Sequence, residues 1–368
     1  MTTSEHDNEG KVSTTSEPQT VALLMRISGI FSGIADEILQ CFAARSVTKL
    51  GNEYYLIKEL QPDAVRHADA SKFVRWNMPV EHAWPCNPAK MEGFVEKAAQ
   101  TLFKKFGARN PQTILIGQIN AGSPDRYYKG LATNLRGRVL QLFPPLRVKE
   151  VEEQDPQAET LFCLVGREGL FCGMQSPRAS NGFYAGGSKY IGLESPDLIS
   201  RAGAKIAEAL HYLLLYRPPM PAGSHWLELG ASPGGMTAEL LARGQRVTAL
   251  DVAVLDARLQ NQRGLKFVRG DVAEFQPRPE ANYDALLSDM NGDPQESMQQ
   301  VLRLSAFLKK NGLVVFTLKI PRIEAVSEPL ELFDSIVQTA AVGGLKLFAQ
   351  THLTYNRHEF TLFFSRTI

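Results

Sequence analysis

The stretch Leu227-Glu-Leu-Gly230-Ala-Ser-Pro-Gly234-Gly235-Met-Thr237 decides how the second half of this 368-residue chain reads. HWLELG (His225–Gly230) has the composition of a buried strand, and Pro233–Gly244 opens a helix, so the glycines fall on a strand-to-helix turn. Glycine there permits a tight turn and lets a ligand approach the backbone. A dinucleotide site would read G-x-G-x-x-G around a pyrophosphate. Here the pattern is G-x-x-P-G-G, and Pro233 breaks the spacing, which disfavours hydride transfer. A purely structural turn is the plain alternative.

Working outward, strands and helices alternate. RVTALD (Arg246–Asp251), LKFVRGD (Leu265–Asp271), YDALLSDM (Tyr283–Met290) and LVVFTLK (Leu313–Lys319) read as strands. Leu198–Tyr216, Gln295–Lys310 and Pro329–Ala341 read as helices, and KLFAQTHL and HEFTLFFS close the chain as strands. This predicts an α/β, Rossmann-like domain over 198–368: a mostly parallel sheet covered on both faces, with an antiparallel edge. Ligands of such sheets bind at the carboxyl ends of the strands. Asp251 ends the second strand, where an acid can bond the ribose hydroxyls of an adenosine-containing ligand, and Asp271 ends the third, where a carboxylate can meet an adenine amino group. Gly230, Ser232, Pro233, Gly234, Gly235, Asp251, Asp271 and Asp289 are the candidate cofactor-binding residues. A lone aspartate after a strand is usually a turn former or helix cap; several in register with the loop are less easily dismissed.

Four further residues fall into place by the same logic. Lys205 lies on the helix before the glycine loop, Asp289 ends the fourth strand, Lys319 ends the fifth, and Glu359 opens the last. In order, S-R-A-x-x-K, L-x-L-G-A-x-P-G-G-x-T, the Asp251 and Asp271 strands, x-D-M, L-K-x-P and N-R-x-E resemble the FtsJ-type ribose 2′-O-methyltransferases. The resemblance runs across Ser200–Phe360, weak motif by motif but specific as an ordered set. It is strongest to members that methylate a cytidine ribose of large-subunit ribosomal RNA. It implies S-adenosyl-L-methionine as cofactor and a catalytic set of Lys205, Asp289, Lys319 and Glu359, with Lys319 as general base. The chemistry agrees: a ribose hydroxyl needs a base to take its proton during attack. A lysine serves if burial and a neighbouring cation, here Lys205, depress its pKa. Each lysine–carboxylate pair has a structural alternative as a buried ion pair. Ser232 stands where relatives often carry alanine or cysteine, and Met236 replaces a frequent tryptophan. No metal is motivated.

The N-terminal half is less distinctive. Val21–Ile57 reads as strand, helix, strand, strand; Asp69–Pro88, with Trp76 and Trp84, gives no assignment. Met91–Phe106 is an amphipathic helix, Thr113–Asn120 a strand, LATNLRGRVLQLF a helix, and ETLFCLVGREGLFCGM a hairpin turned at Gly166–Gly169. The resemblance implies a ferredoxin-like subdomain over 20–88 and a THUMP-like RNA-binding domain over 89–180. Residues 1–19 read as a disordered tail and 181–197 as a linker. Arg126, Tyr127, Tyr128, Lys129, Arg136 and Arg138 are candidates for phosphate contact or base stacking, with an ordinary solvated face as the equal alternative.

Composition is that of a soluble globular chain, 44% hydrophobic and 21% charged. The net charge of +1 means that any RNA contact must come from local patches. The four cysteines lack C-x-x-C spacing and read as buried thiols in a reducing cytoplasm. No apolar run is long enough for a transmembrane helix, so no membrane partner is expected. The alternatives kept open are a methyltransferase for a small molecule or protein, against which the lysine base argues, and a non-catalytic RNA-binding protein with a vestigial fold. The oligomeric state is open.

Overall fold

The computed structural model describes residues 21–44, 46–60, 69–86, 91–119, 126–146, 148, 150, 153–188, 199–321 and 323–367. The expected tail, and most of the expected linker, lie outside them.

β1 (Val21–Ile27), α1 (Ala35–Gln40), β2 (Ser46–Leu50), β3 (Tyr54–Leu60) and β4 (Val74–Val80) build an antiparallel sheet in the order β2-β3-β1-β4. Ile34, Ile38, Leu39 and Phe42, the helically spaced apolar residues, are all buried. β4 continues through Glu81 into β5 (His82–Trp84), which belongs to a second sheet. The Glu81 N–H donates to the Cys172 carbonyl at 3.0 Å. The switch between sheets thus falls ahead of the boundary expected at residue 88. The 69–86 region had no readable period because pairing with β1 and β8, not local pattern, makes its strands. Gly173 permits the close pass: a Cβ there would strike the Pro79 backbone carbonyl.

The second sheet adds β6 (Thr113–Gln118), β7 (Thr160–Gly166) and β8 (Gly169–Gln175) in the order β5-β8-β7-β6. α2 (Met91–Phe106) and α3 (Arg126–Leu142) share one core with it. Cys86, Cys163 and Cys172 are buried free thiols, whereas Cys41 is exposed, contrary to expectation. The segment after α4 (Pro177–Ser180), expected as a linker, is packed where it is described: Phe183 is buried, and the Gly186 carbonyl accepts from Arg26 Nη1 at 2.8 Å.

The third sheet has seven strands. Its elements are α5 (Ala202–Leu213), β9 (His225–Leu229), α6 (Gly235–Ala242), β10 (Arg246–Asp251), β11 (Leu265–Arg269), β12 (Tyr283–Ser288), α7 (Pro294–Ser305), β13 (Leu308–Lys319), α8 (Ser327–Val342), β14 (Leu345–Thr351) and β15 (Glu359–Arg366). The order is β11-β10-β9-β12-β13-β15-β14, parallel except for β15, which runs antiparallel to both neighbours. This is the Rossmann-like arrangement expected, with the reversal of strand order between β9 and β12. Several boundaries shift by a few residues. The helix expected over 198–216 spans only Ala202–Leu213, and the one expected to reach Lys310 stops at Ser305, because Leu308 already pairs with Tyr283 in the sheet.

The first and third sheets share one core: Met25, Ile27, Phe31 and Phe73 pack with Phe316, Phe333 and Phe360. The Phe31 ring lies 5.0 Å from Phe73 and 5.7 Å from Phe360, centroid to centroid. Among the described residues no helix is long and apolar enough to cross a membrane. Phe31→Ala is expected to cost about 3–5 kcal/mol. Because the core is shared, it is expected to destabilise the large sheet together with the N-terminal one, as a single transition shifted to lower denaturant. Two separated transitions by fluorescence and circular dichroism would contradict the shared core.

Candidate active site

A cavity of about 570 Å³ opens at the carboxyl ends of the parallel strands. Gly230 and Gly235, with Ser232 and Pro233, form its floor. Gly230 has φ +76°, and a Cβ there would meet the Met290 backbone at 3.0 Å, so only glycine lets the β9 end pass so close to the β12 end. Ser232–Pro233 is a cis peptide. Gly234 is not among the residues that line the cavity, and a Cβ there would strike the Leu259 side chain. Its service is conformational, at φ +107°.

Asp251, Asp271 and Asp289 all line the cavity, as their positions at strand ends require. Asp251 also shapes it, accepting the Ser232 N–H and the Ala253 N–H at 2.8 Å each. Sequence reading missed Glu228, Asp293 and Glu296, which add three more acids to the lining. Among the described residues lining it, Lys319 is the only base. Such a wall repels a pyrophosphate and suits a cationic ligand that carries hydroxyl and amino donors. Glu228 lies under the loop, 2% exposed, and its Oε2 accepts the Thr237 hydroxyl at 2.7 Å. Burial pushes its pKa up to about 8, so it is largely protonated at neutral pH. An acid within the otherwise apolar strand HWLEL was the available signal.

At the cavity's end two lysines and two carboxylates close a ring. Lys205 Nζ lies 3.1 Å from Asp289 Oδ1 and 2.7 Å from Glu359 Oε1. Lys319 Nζ lies 2.7 Å from Asp289 Oδ1 and 2.8 Å from Glu359 Oε2. All four residues singled out from sequence therefore meet. β15 contributes because it runs antiparallel: its first residue, Glu359, pairs with Lys319, the last of β13. Lys205 reaches them because α5 and α6 approach closely at glycines, a Cβ on Gly235 meeting the Gly203 backbone at 3.1 Å.

One expectation reverses. Burial lowers the Lys319 pKa, but Asp289 and Glu359 outweigh it, and the value stands above that of an ordinary lysine. Burial raises the Glu359 pKa, but Lys205 and Lys319 outweigh that and hold it below its ordinary value. Lys319 and Glu359 thus each hold their charge more firmly than a free side chain would.

A second groove, of about 950 Å³, adjoins the first. Lys205 and Glu359 line it, with Arg201, Tyr355 and Arg357, and Ile30 from the N-terminal unit. Lys319 lines both cavities and stands at their junction. No cluster of histidine, cysteine or acidic residues able to hold a metal occurs among the described residues.

Residues 198–342 match the model for FtsJ-like methyltransferase. The C-terminal part of the chain is thus similar to that family over these residues. The chain is similar to "Ribosomal RNA large subunit methyltransferase M" of Pseudoalteromonas atlantica, 31% identical over 44% of this chain and 47% of that one. The protein of the same name from Halorhodospira halophila is 32% identical over 45% of this chain and 47% of that one. The chain spans about half the length of the curated relatives it matches. Among solved structures, TrmN from Thermus thermophilus aligns over 95% of this chain and 100% of that one, at 14% identity and a TM-score of 0.36.

Glu228 yields a prediction. With a folded pKa of about 8 against an ordinary 4.5, the native state holds a proton that the unfolded state releases. Stability is therefore lost as pH rises from about 4.5 to about 8. Glu228→Gln keeps an acceptor for Thr237 and is expected to remove this slope, so that the variant gains on the wild type as pH rises. Parallel thermal-melt curves for the two proteins from pH 5 to 8.5 would contradict the assignment.

Proposed function

We propose that the chain is an S-adenosyl-L-methionine-dependent RNA ribose 2′-O-methyltransferase acting on large-subunit ribosomal RNA in the cytoplasm, with Lys319 as general base. The observation that carries this reading is the place of Lys319, at the junction of an acid-lined cavity and a groove bordered by Arg201 and Arg357. One cavity takes the methyl donor, the other the acceptor nucleotide.

The residues fit the cofactor. The cavity lies within the range of about 300–1,000 Å³ typical of small-molecule sites. Its acids suit a sulfonium and an amino group, with Asp251 placed for ribose hydroxyls and Asp271 for the adenine amino group. When bound, S-adenosyl-L-methionine supplies an activated methyl group to an oxygen nucleophile. The chain's part is to hold the acceptor hydroxyl against Lys319, take its proton at Nζ, and exclude water from the approach. Asp289 and Glu359 fix the Lys319 ammonium in direction, and Lys205 balances the charge of both carboxylates.

We further read the first sheet as ferredoxin-like and the second unit as THUMP-like. The order β2-β3-β1-β4, with β1 and β2 flanking β3, supports the first assignment. For RNA contact, Arg126, Tyr127, Lys129 and Arg136 are exposed on α3, whereas Arg138 is tied to Glu96 at 2.6 Å and is less available.

Lys319→Ala is expected to retain S-adenosyl-L-methionine binding by calorimetry and to lose methyl transfer to ribosomal RNA by about 10²–10⁴-fold. Full turnover would remove Lys319 from the chemistry. Since the Lys319 pKa is raised, the deprotonated fraction grows with alkalinity, and the wild-type rate is expected to climb between about pH 7 and 9. A flat profile there would exclude proton transfer to Lys319 from the rate-limiting step. RNA affinity is expected to fall steeply with salt; affinity that ignores salt points to a small-molecule or protein acceptor.

A further inference from the structure

Arg75 on β4 and Glu208 on α5 form an ion pair, Nη2 to Oε1 at 2.9 Å, with side chains 4% and 1% exposed. A pair so fully buried is a poor route to stability, since desolvation of both ions offsets their attraction, and apolar residues of similar size serve as well. What the charges add is direction. Glu208 directs both oxygens at Thr354: Oε2 accepts its N–H at 2.8 Å, and Oε1 accepts its hydroxyl at 2.8 Å. Arg75 Nη1 donates to Thr351 Oγ1 at 2.9 Å. The pair therefore grips the chain at the last residue of β14 and again three residues on.

The gripped segment is the one that leads into Glu359. His352 Nδ1 lies 2.9 Å from the Glu359 carbonyl oxygen, and Asn356 Nδ2 donates to the same oxygen at 3.3 Å. Asn356 Oδ1 in turn accepts the Leu353 N–H at 3.0 Å. On the other side of the clasp, Glu208 lies one helical turn from Lys205 on α5, on the same face. The clasp thus ties together α5, which carries one ring lysine, and the segment that carries one ring carboxylate. Its cation comes from the N-terminal sheet.

We propose that Arg75 and Glu208 are positioning residues, a buried clasp by which the N-terminal sheet holds 352–358 in the shape that seats Glu359 between Lys205 and Lys319. This rests on the ring being the catalytic set, and adds that the N-terminal sheet is a working part of its geometry. None of Arg75, Glu208 and Thr354 lines the cofactor cavity, and of the three only Thr354 borders the second groove.

The test uses the full chain. An Arg75→Met/Glu208→Leu double variant removes the charges while refilling the space, and Thr354→Val removes one arm from the exposed end without touching the core. Calorimetric affinity for S-adenosyl-L-methionine and the melting temperature are expected to stay near wild type. With ribosomal RNA as acceptor, kcat is expected to fall by about tenfold or more in the double variant, with KM unchanged, and by a few-fold in Thr354→Val. Hydrogen exchange across 352–359 is expected to accelerate in both variants, while that across 225–251 does not. Wild-type kcat in a stably folded double variant, or unchanged exchange across 352–359 in Thr354→Val, would reduce the clasp to a domain staple and overturn the proposal. If the wild-type chain transfers no methyl group to RNA, the functional reading fails, and the exchange comparison still decides on the clasp.

Discussion

The structure is organised around an alternation of charge: Lys205, Glu359, Lys319 and Asp289, each cation between two carboxylates at 2.7–3.1 Å. An isolated half-buried ammonium would shed its proton or draw in water. Two of them beside each other are tolerable only with two acids interleaved. That requirement reaches far into the fold, because the four side chains come from α5, the β12 end, the β13 end and the β15 start. Only a sheet whose penultimate neighbour is antiparallel brings the first residue of one strand against the last of another at the same edge.

The acid-lined cavity and the ring form one electrostatic system. Asp289 belongs to both: it lines the cavity and accepts from both lysines. Glu228, under the loop, is pushed up by burial, with help from Asp289 and Asp251, and stays largely neutral. Glu228 and Glu359, both buried, thus shift in opposite directions, because Glu359 has two lysines beside it and Glu228 has a threonine hydroxyl.

The N-terminal sheet is not an appended module. Phe31 and Phe73, from the helical turns after β1 and before β4, complete the core under Phe360, the residue after Glu359. Arg75, two residues after Phe73, is buried against Glu208 of α5. The second sheet is joined to the first by a strand that passes from one to the other at Glu81, and Trp76 packs against Phe162 across that join at 5.4 Å. A load on the outer sheets therefore has a packed route toward the ring.

Sequence alone determined the C-terminal architecture and the identity of the ring. The strand ends and the glycine loop are fixed by local pattern, the four charged residues as a set were implied by the family resemblance, and a parallel sheet gathers its strand ends at one edge whatever the detail. It also placed Met91–Phe106 and the Gly166–Gly169 hairpin, whose periods are strong. Only the tertiary structure decided the rest. β4 and β5 arise from pairing with partners about 50 to 90 residues away, which no local period encodes. Gly234 proved to serve backbone conformation, and the Lys319 pKa went up where burial alone would have brought it down, because the number of carboxylates within reach is a property of packing. The Arg75–Glu208 clasp was invisible for the same reason: each residue is ordinary in its own segment, and only the fold removes both from water and sets them face to face.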